Sequence, residues 1–482
     1  MTPGGGRALE DLDEAGRRRP ESSERITFDD LAAPVPAGRV DGGRLIPIES
    51  VQPGDEQVFA ARLPPGSGET VIDLDRLAEF PSVRSVVASA TVRAGRPLPH
   101  IEELLLFNRT PVPDAKTLQS LSGLVRFWAG RALFNRRLAV EALPGRALRE
   151  LGVNRVLLPG GSAELSGLVE LRHLVLHHCM PKDSLQPLAG LTQLTRLRAD
   201  APGGWSALAS CTALEEVYAI RPRLSNLKAF RAWTRLRSLA LTGAGVRGLE
   251  GMEAFTALER LKLIALKIGD LLPLASLSRL AELELSGLES LKDLSPLAGL
   301  TSLRQLVIAR VGGEPRDIVH VDSLRPIAGA RALEEVSLVG AVVDDGDLSP
   351  LIDLPALRRV RVFGDLGAAV AVFRRARPDV VVIWGGGAKP SPGVPAGPVF
   401  LHPADGRIPV WWMREDLTGL LQVPTNADAE DRLRAVLKAE DSKLLERLRF
   451  DTEGDAVVVE SDHEEDLRAL ARTIEELARA TG

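Results

Sequence analysis

Residues 288–308 read LESLKDLSPLAGLTSLRQLVI, with leucine at 288, 291, 294, 297, 300, 303 and 306, after which the spacing tightens to two at Ile308. An amphipathic helix repeats its apolar residues every ~3.6 positions, and a strand alternates with period two. A period of three fits 3₁₀-like or extended turns, and the change to two marks a short strand. Similar units recur along most of the chain. That makes it a solenoid, in which one coil has a single apolar edge and can bury it only against its neighbours.

The copies are counted from their first strand leucines: Leu171, Leu194, Leu214, Leu236, Leu258, Leu280, Leu303, Leu333 and Leu357. Successive steps are 23, 20, 22, 22, 22, 23, 30 and 24 residues. A period near 22 held over so many copies decides the architecture. The long step carries an insertion, Gly312 to Asp322, expected to loop out. Degenerate copies precede these: PSVRSVVA (81–88), HIEELLLFN (100–108), SGLVRFWA with Leu124 and Phe127, and RALRELGV with Leu148, Leu151 and Val153. RPDVVVIW (377–384) reads as a closing strand.

Composition agrees. At 482 residues the chain is too long for one compact core, so several domains or a repeat array is expected. Only 4% is aromatic, so Leu, Val and Ala must fill the interior. A formal charge of −5 argues against a general nucleic-acid binder. The two cysteines cannot form a disulfide framework. No secretory signal and no apolar run long enough to span a bilayer is present, so a cytoplasmic location without membrane insertion is expected. The richness in Ala, Arg, Gly and Pro suggests a bacterial source.

The motifs SLQPLAGLTQLTRL, DLSPLAGLTSLRQL and DLSPLIDLPALRRV resemble the leucine-rich repeat family, in its short 22-residue subclass typified by internalins. The resemblance covers about 80–384 and implies an α/β solenoid: a curved parallel β-sheet with an irregular, 3₁₀-rich convex side. It also implies an Asn eight residues after each first leucine, satisfying backbone groups between coils. Here that position holds Cys179, Pro202, Pro222, Ala244, Leu266, Leu288, Val311, Ala341 and Asp365. The turns must therefore satisfy their backbone by other means.

The expected organisation runs as follows: residues 1–24 disordered; 25–75 a small β-rich lead-in or N-terminal cap; 76–384 the solenoid; 385–398 a Gly/Pro linker; 399–482 an acidic ββααβα module. The last has 19 Asp and Glu against 11 Lys and Arg, hence −8, which leaves +3 for the rest of a chain totalling −5. Ser461 with Glu464 has the spacing of a capping box.

Residues flanking the strand leucines point away from the core and form the expected recognition surface on the concave face. They include Arg126 and Trp128, His173 and His177, Arg196 and Arg198, and Glu216 and Tyr218. Further along come Arg260 and Lys262, Glu282 and Glu284, then Gln305 and Glu335, and finally Arg359, Arg361 and Phe363. The mixture of signs suits a folded protein partner; the bland alternative is a solvated sheet face. His173, His177, His178 and Cys179 suggest a metal site, but strand residues four apart are separated by about 13 Å. No metal or cofactor is expected. Gly385–Gly387 with Lys389 lacks phosphate-loop spacing, and no G-x-S-x-G or cysteine nucleophile signature occurs. The leading expectation is a non-enzymatic scaffold. An alternative is an immunity-type or regulatory inhibitor acting through the acidic module, and an enzyme with a site in a terminal module ranks last.

Overall fold

The computed structural model describes residues 39–40, 43–44, 46–60, 71–106, 110–129, 137–154, 156, 158, 161–177, 179, 184–288, 290–311, 319–363, 366–385, 399–401, 410–414, 426–450, 457–461, 466, 469–470, 472–474 and 477. The chain divides into two units, Met1–Leu303 and Arg304–Gly482.

In the first unit a parallel sheet is built, strand beside strand, from β1 (Ile46–Pro47), β2 (Gln57–Ala60), β3 (Ser85–Ala88), β4 (Glu103–Leu106), β5 (Arg126–Ala129) and β6 (Glu150–Asn154). It continues through β7 (His173–His177), β8 (Arg196–Asp200), β9 (Glu216–Ile220), β10 (Ser238–Thr242), β11 (Arg260–Ile264) and β12 (Glu282–Ser286). The strands come in chain order, and the core residues stand in columns. Leu151, Leu174, Leu197, Val217, Leu239, Leu261 and Leu283 are register partners in turn. All of these are buried, and each such side chain contributes about 1.5–3 kcal/mol by leaving water.

The period of three has a direct cause. Each convex turn carries a chain of i to i+3 bonds running from leucine to leucine. The Leu291 amide donates to the Leu288 carbonyl, Leu297 to Leu294, Leu300 to Leu297 and Leu303 to Leu300, at 2.9–3.1 Å. Every such turn brings the next leucine back to the same side, and all are at most 1% exposed. A 3₁₀ helix has three residues per turn, so the spacing is the turn geometry written in sequence. Asx turns lead into these segments: the Asp270 carboxylate accepts from the Leu272 amide at 2.8 Å and Asp293 from the Ser295 amide at 2.7 Å. The short helix α1 (Ala115–Ser120) replaces the 3₁₀ segment in one coil, capped by Asp114 accepting from the Thr117 amide.

Coils are tied at both strand ends. One carbonyl accepts from two successive amides of the next coil, as Glu215 does from Arg237 at 2.8 Å and Ser238 at 3.0 Å. Just past the strands, Arg221, Gly243, Ala265 and Gly287 take left-handed φ values of 52°, 95°, 54° and 62°. At these positions the Arg221, Gly243 and Ala265 amides make the last ladder bonds, donating to the carbonyls of Thr242, Ile264 and Ser286 in the following coil. Cys179, which sits at the ladder position, lies 3.3 Å from the Val153 carbonyl and 3.1 Å from that of His177.

Within 25–75, β1 and β2 extend the same parallel sheet and pair in register with β3. Before them, Arg39–Val40 pairs antiparallel with Gly43–Arg44, and after β2, Val71–Asp73 pairs in parallel with Thr91–Arg93. Residues 25–38, 41–42, 45 and 61–70 lie outside the described residues.

The second unit opens with Leu306 and Ile308, fully buried on β13 (Gln305–Ala309). β14 (Glu335–Val339), β15 (Arg359–Phe363) and β16 (Val381–Gly385) follow in parallel. The end of the expected insertion is ordered: Val319–Val321 pairs with Ala341–Val343, while 312–318 lie outside the described residues. Helix α2 (Gly367–Ala376) precedes β16, and Arg377 just beyond it donates to the carbonyls of Ile352, Leu354 and Leu357 at 2.9–3.1 Å.

Further along, β17 (Val399–Leu401), β18 (Val410–Arg414), β19 (Leu448–Phe450) and β20 (Val457–Ser461) form a separate antiparallel sheet in the order β17-β18-β20-β19. The two helices of the expected order are α3 (Asn426–Glu440) and α4 (Ser442–Arg447), separated at Asp441, whose side chain caps α4 by accepting from the Leu444 amide. β19 is an additional strand, so the order is ββααββ before the last helical residues. Ala429, Leu433, Leu437, Leu444, Leu448, Val459, Leu470 and Ile474 make a core of their own. Ser461 donates to Asp466, which also holds Arg447; Glu464 lies outside the described residues, as do the side chains of Trp411 and Trp412.

Leu306→Ala should cost about 2–5 kcal/mol in chemical denaturation, and an unchanged midpoint would remove this residue from the core. A second expectation concerns pH. The bonds from Ser295 hold the Asp293 carboxyl, and those from Ser349 the Asp347 carboxyl, below the ordinary value. A depressed folded value gives stability that is present above the unfolded value of about 4 and lost as pH falls through the folded one. The denaturation midpoint should therefore drop below pH ~4, and the double variant D293N/D347N should flatten that drop.

Candidate protein-binding face

Alternation along each five-residue strand sends two side chains to the core and three to the opposite, outward face. Register then arranges the outward residues in rows. One row of the first unit runs Glu103, Arg126, Glu150, His173, Arg196, Glu216, Ser238, Arg260, Glu282. Neighbouring strands lie ~4.8 Å apart, close enough for opposite charges in a row to meet. Arg126 bridges Glu103 at 2.7 Å and Glu150 at 2.9 Å, and His173 Nδ1 is 3.9 Å from the same Glu150 carboxylate.

This first stretch is closed. Leu105 and Val175 on the outward face are buried, and Trp128 is only 2% exposed. The Trp128 ring lies against Gly152 on the next strand: a Cβ there would run into Cε3 of the indole. Its edge meets the His173 ring at 5.2 Å between centroids. Trp128 is thus a packing group and not an exposed anchor, because the next strand offers it a seat with no side chain. Arg126 and His173 are largely enclosed by the ion-pair row. His177 is half-buried and Cys179 is buried, and among the described residues no group of three or more His, Cys, Asp or Glu could hold a metal ion.

From β8 onward most outward residues are half-buried, and Lys262 and Glu282 are exposed, while Asp200 and Ser286 at the strand ends stay buried. Arg198 stacks over the Tyr218 ring at 4.5 Å. Glu216 lies 3.6 Å from Arg196 on one side and 3.7 Å from Arg260, two strands away, on the other. Lys262 pairs with Glu284 at 3.0 Å, and Glu282 is exposed. At the margin Arg221 grips the buried Asp200 carboxylate through Nε and Nη2 at 2.7–3.1 Å.

On the second unit, Gln305, Glu335 and Arg359 share one row, and Val307, Ser337 and Arg361 the next. Glu335 accepts from Arg359 at 3.2 Å and lies 3.4 Å from Arg361. Burial pulls the Arg361 guanidinium below its ordinary value, against the nearby Glu335 charge. Phe363 pairs with Gly385 through its backbone; its side chain lies outside the described residues.

Sequence reading overlooked Glu150 and Gly152. The signal was present in RELGV, where they flank Leu151.

No family model and no curated protein matches the sequence. Several solved structures are similar to it. An internalin from Listeria monocytogenes is 18% identical, with a TM-score of 0.42 over 62% of this chain and 80% of its own. A leucine-rich repeat protein of Leptospira interrogans is 14% identical, with a TM-score of 0.43 over 67% and 95%. The Toll–Spatzle complex of Drosophila gives 12% identity and 0.41 over 64% and 46%. The repeats, the parallel ladders and the leucine-to-leucine turns of this chain define a leucine-rich repeat fold.

Gly152→Ala should displace the Trp128 ring and cost about 1–3 kcal/mol, together with a changed tryptophan fluorescence. Wild-type fluorescence and stability in that variant would contradict the placement of the ring.

Proposed function

We propose that the chain is a non-enzymatic scaffold that binds a protein partner through the concave face of its solenoid, chiefly at β8–β12. One observation carries this. Outward side chains are enclosed on β4–β7, whereas those of Lys262, Arg260 and Glu216 are 55%, 42% and 37% exposed on strands fixed from both sides. A rigid backbone presenting open, chemically varied side chains binds with little ordering cost. The alternation of signs favours a folded protein over a polyanion. Tyr218 and the arginines beside it are the residue types that dominate such contacts. On this reading the acidic tail is a second contact or a cap. The location is cytoplasmic, where the buried thiols of Cys179 and Cys211 suit a reducing compartment.

The test is capture of a partner by the full chain. The double variant Y218A/K262A should weaken that capture about 30-fold or more. Leu272→Ser, on a 3₁₀ segment off the sheet, should leave it unchanged. Equal capture by Y218A/K262A and wild type would contradict the proposal.

A further inference from the structure

The open face has a notch. On β10 the outward residues Ser238, Ala240 and Thr242 are small, and register places large ones on both sides. Tyr218 and Lys262 flank Ala240, and Ile220 and Ile264 flank Thr242. With strands ~4.8 Å apart the walls stand about 9.6 Å apart at their Cα atoms. At one end Glu216 and Arg260 reach over Ser238 to meet at 3.7 Å. A recess floored by Ala240 between two hydroxyl residues and walled by Tyr218, Ile220 and Ile264, with a charged rim, is a setting in which an interface anchor concentrates binding energy.

The rim is banded by strand. Glu216 stands on β9, Arg260 and Lys262 on β11, and Glu282 and Glu284 on β12. The pairs Arg260–Glu216 and Lys262–Glu284 are partly exposed. Such contacts are weak individually, so an incoming charge can exchange with them. Measured from the notch, the bands lie about 4.8 Å one way, and about 4.8 and 9.6 Å the other. Helix positions three, four and seven residues on rise by about 4.5, 6 and 10.5 Å. Same-face residues of an extended peptide advance about 6.7 Å, reaching about 13 Å in two steps, and fall out of step with the strands.

The geometry points to an amphipathic helix of the protein partner, laid across β9–β12. One aliphatic or aromatic side chain sits over Ala240. A basic residue one turn to one side meets Glu216. On the other side an acidic residue meets Lys262, and a basic residue a turn further meets Glu282 and Glu284. This rests on the reading of the face as the binding surface and adds the form and charge order of what binds there.

The probes are alanine-based, N-acetylated, 18-residue helical peptides read by fluorescence anisotropy against the full chain. One set carries Lys, Leu, Glu and Lys at positions i−4, i, i+4 and i+7, prepared in both chain directions; the other inverts every charge. The better matched peptide should bind at least about tenfold tighter than its inverted form. The exchange K262E/E284K should shrink or reverse that preference, and Ala240→Phe, which fills the notch, should weaken the matched peptide about tenfold or more. Equal binding of matched and inverted peptides, or binding of neither, overturns the helix. If partner capture still depends on Tyr218 and Lys262 in that event, the face stands and only its ligand is wrong. If capture ignores them, the face itself fails.

Discussion

One constraint governs the molecule: a coil of about twenty-two residues has a leucine edge and no interior of its own. It meets that constraint by turning every three residues on one side and pairing strands on the other. Amide-to-carbonyl bonds from leucine to leucine set the inward direction of each side chain. Strand register then lines the leucines of successive coils into columns. Neither device suffices alone, since the turns orient the side chains and only stacking removes them from water.

The same register that builds the interior organises the exterior. Outward residues are locked into rows, so a charge on one strand meets whatever register places beside it on the next, as Arg126 meets Glu103 and Glu150. Over β4–β7 this produces an enclosed run of Glu103, Arg126, Glu150 and His173 beside the Trp128 ring. Over β8–β12 the same rows are more open, with Lys262 and Glu282 exposed and most others half-buried, and a step in size at β10. Position on a repeat therefore does not determine exposure; the neighbours on adjacent strands do.

That distinction explains what could be read in advance. The array was legible because its period of three and step near 22 are imposed by local turn geometry and repeated many times. The left-handed turns just past the strands were not, because Arg221 and Ala265 are residue types that do not announce that conformation. Trp128 reads as an anchor until Gly152 is seen beside it, a relation between residues 24 apart. In the tail, the short strand Leu448–Phe450 follows α4 directly, with no turn residue between them to mark it.

Amide hydrogen exchange along the native chain tests the central claim most directly. If stacked coils share one leucine interior, the turn amides of Leu291, Leu297, Leu300 and Leu303 will be protected together with the strand amides of β6–β12, in one continuous block. Turn amides that exchange at unprotected rates beside protected strands, or separate islands of protection along 148–303, would contradict it.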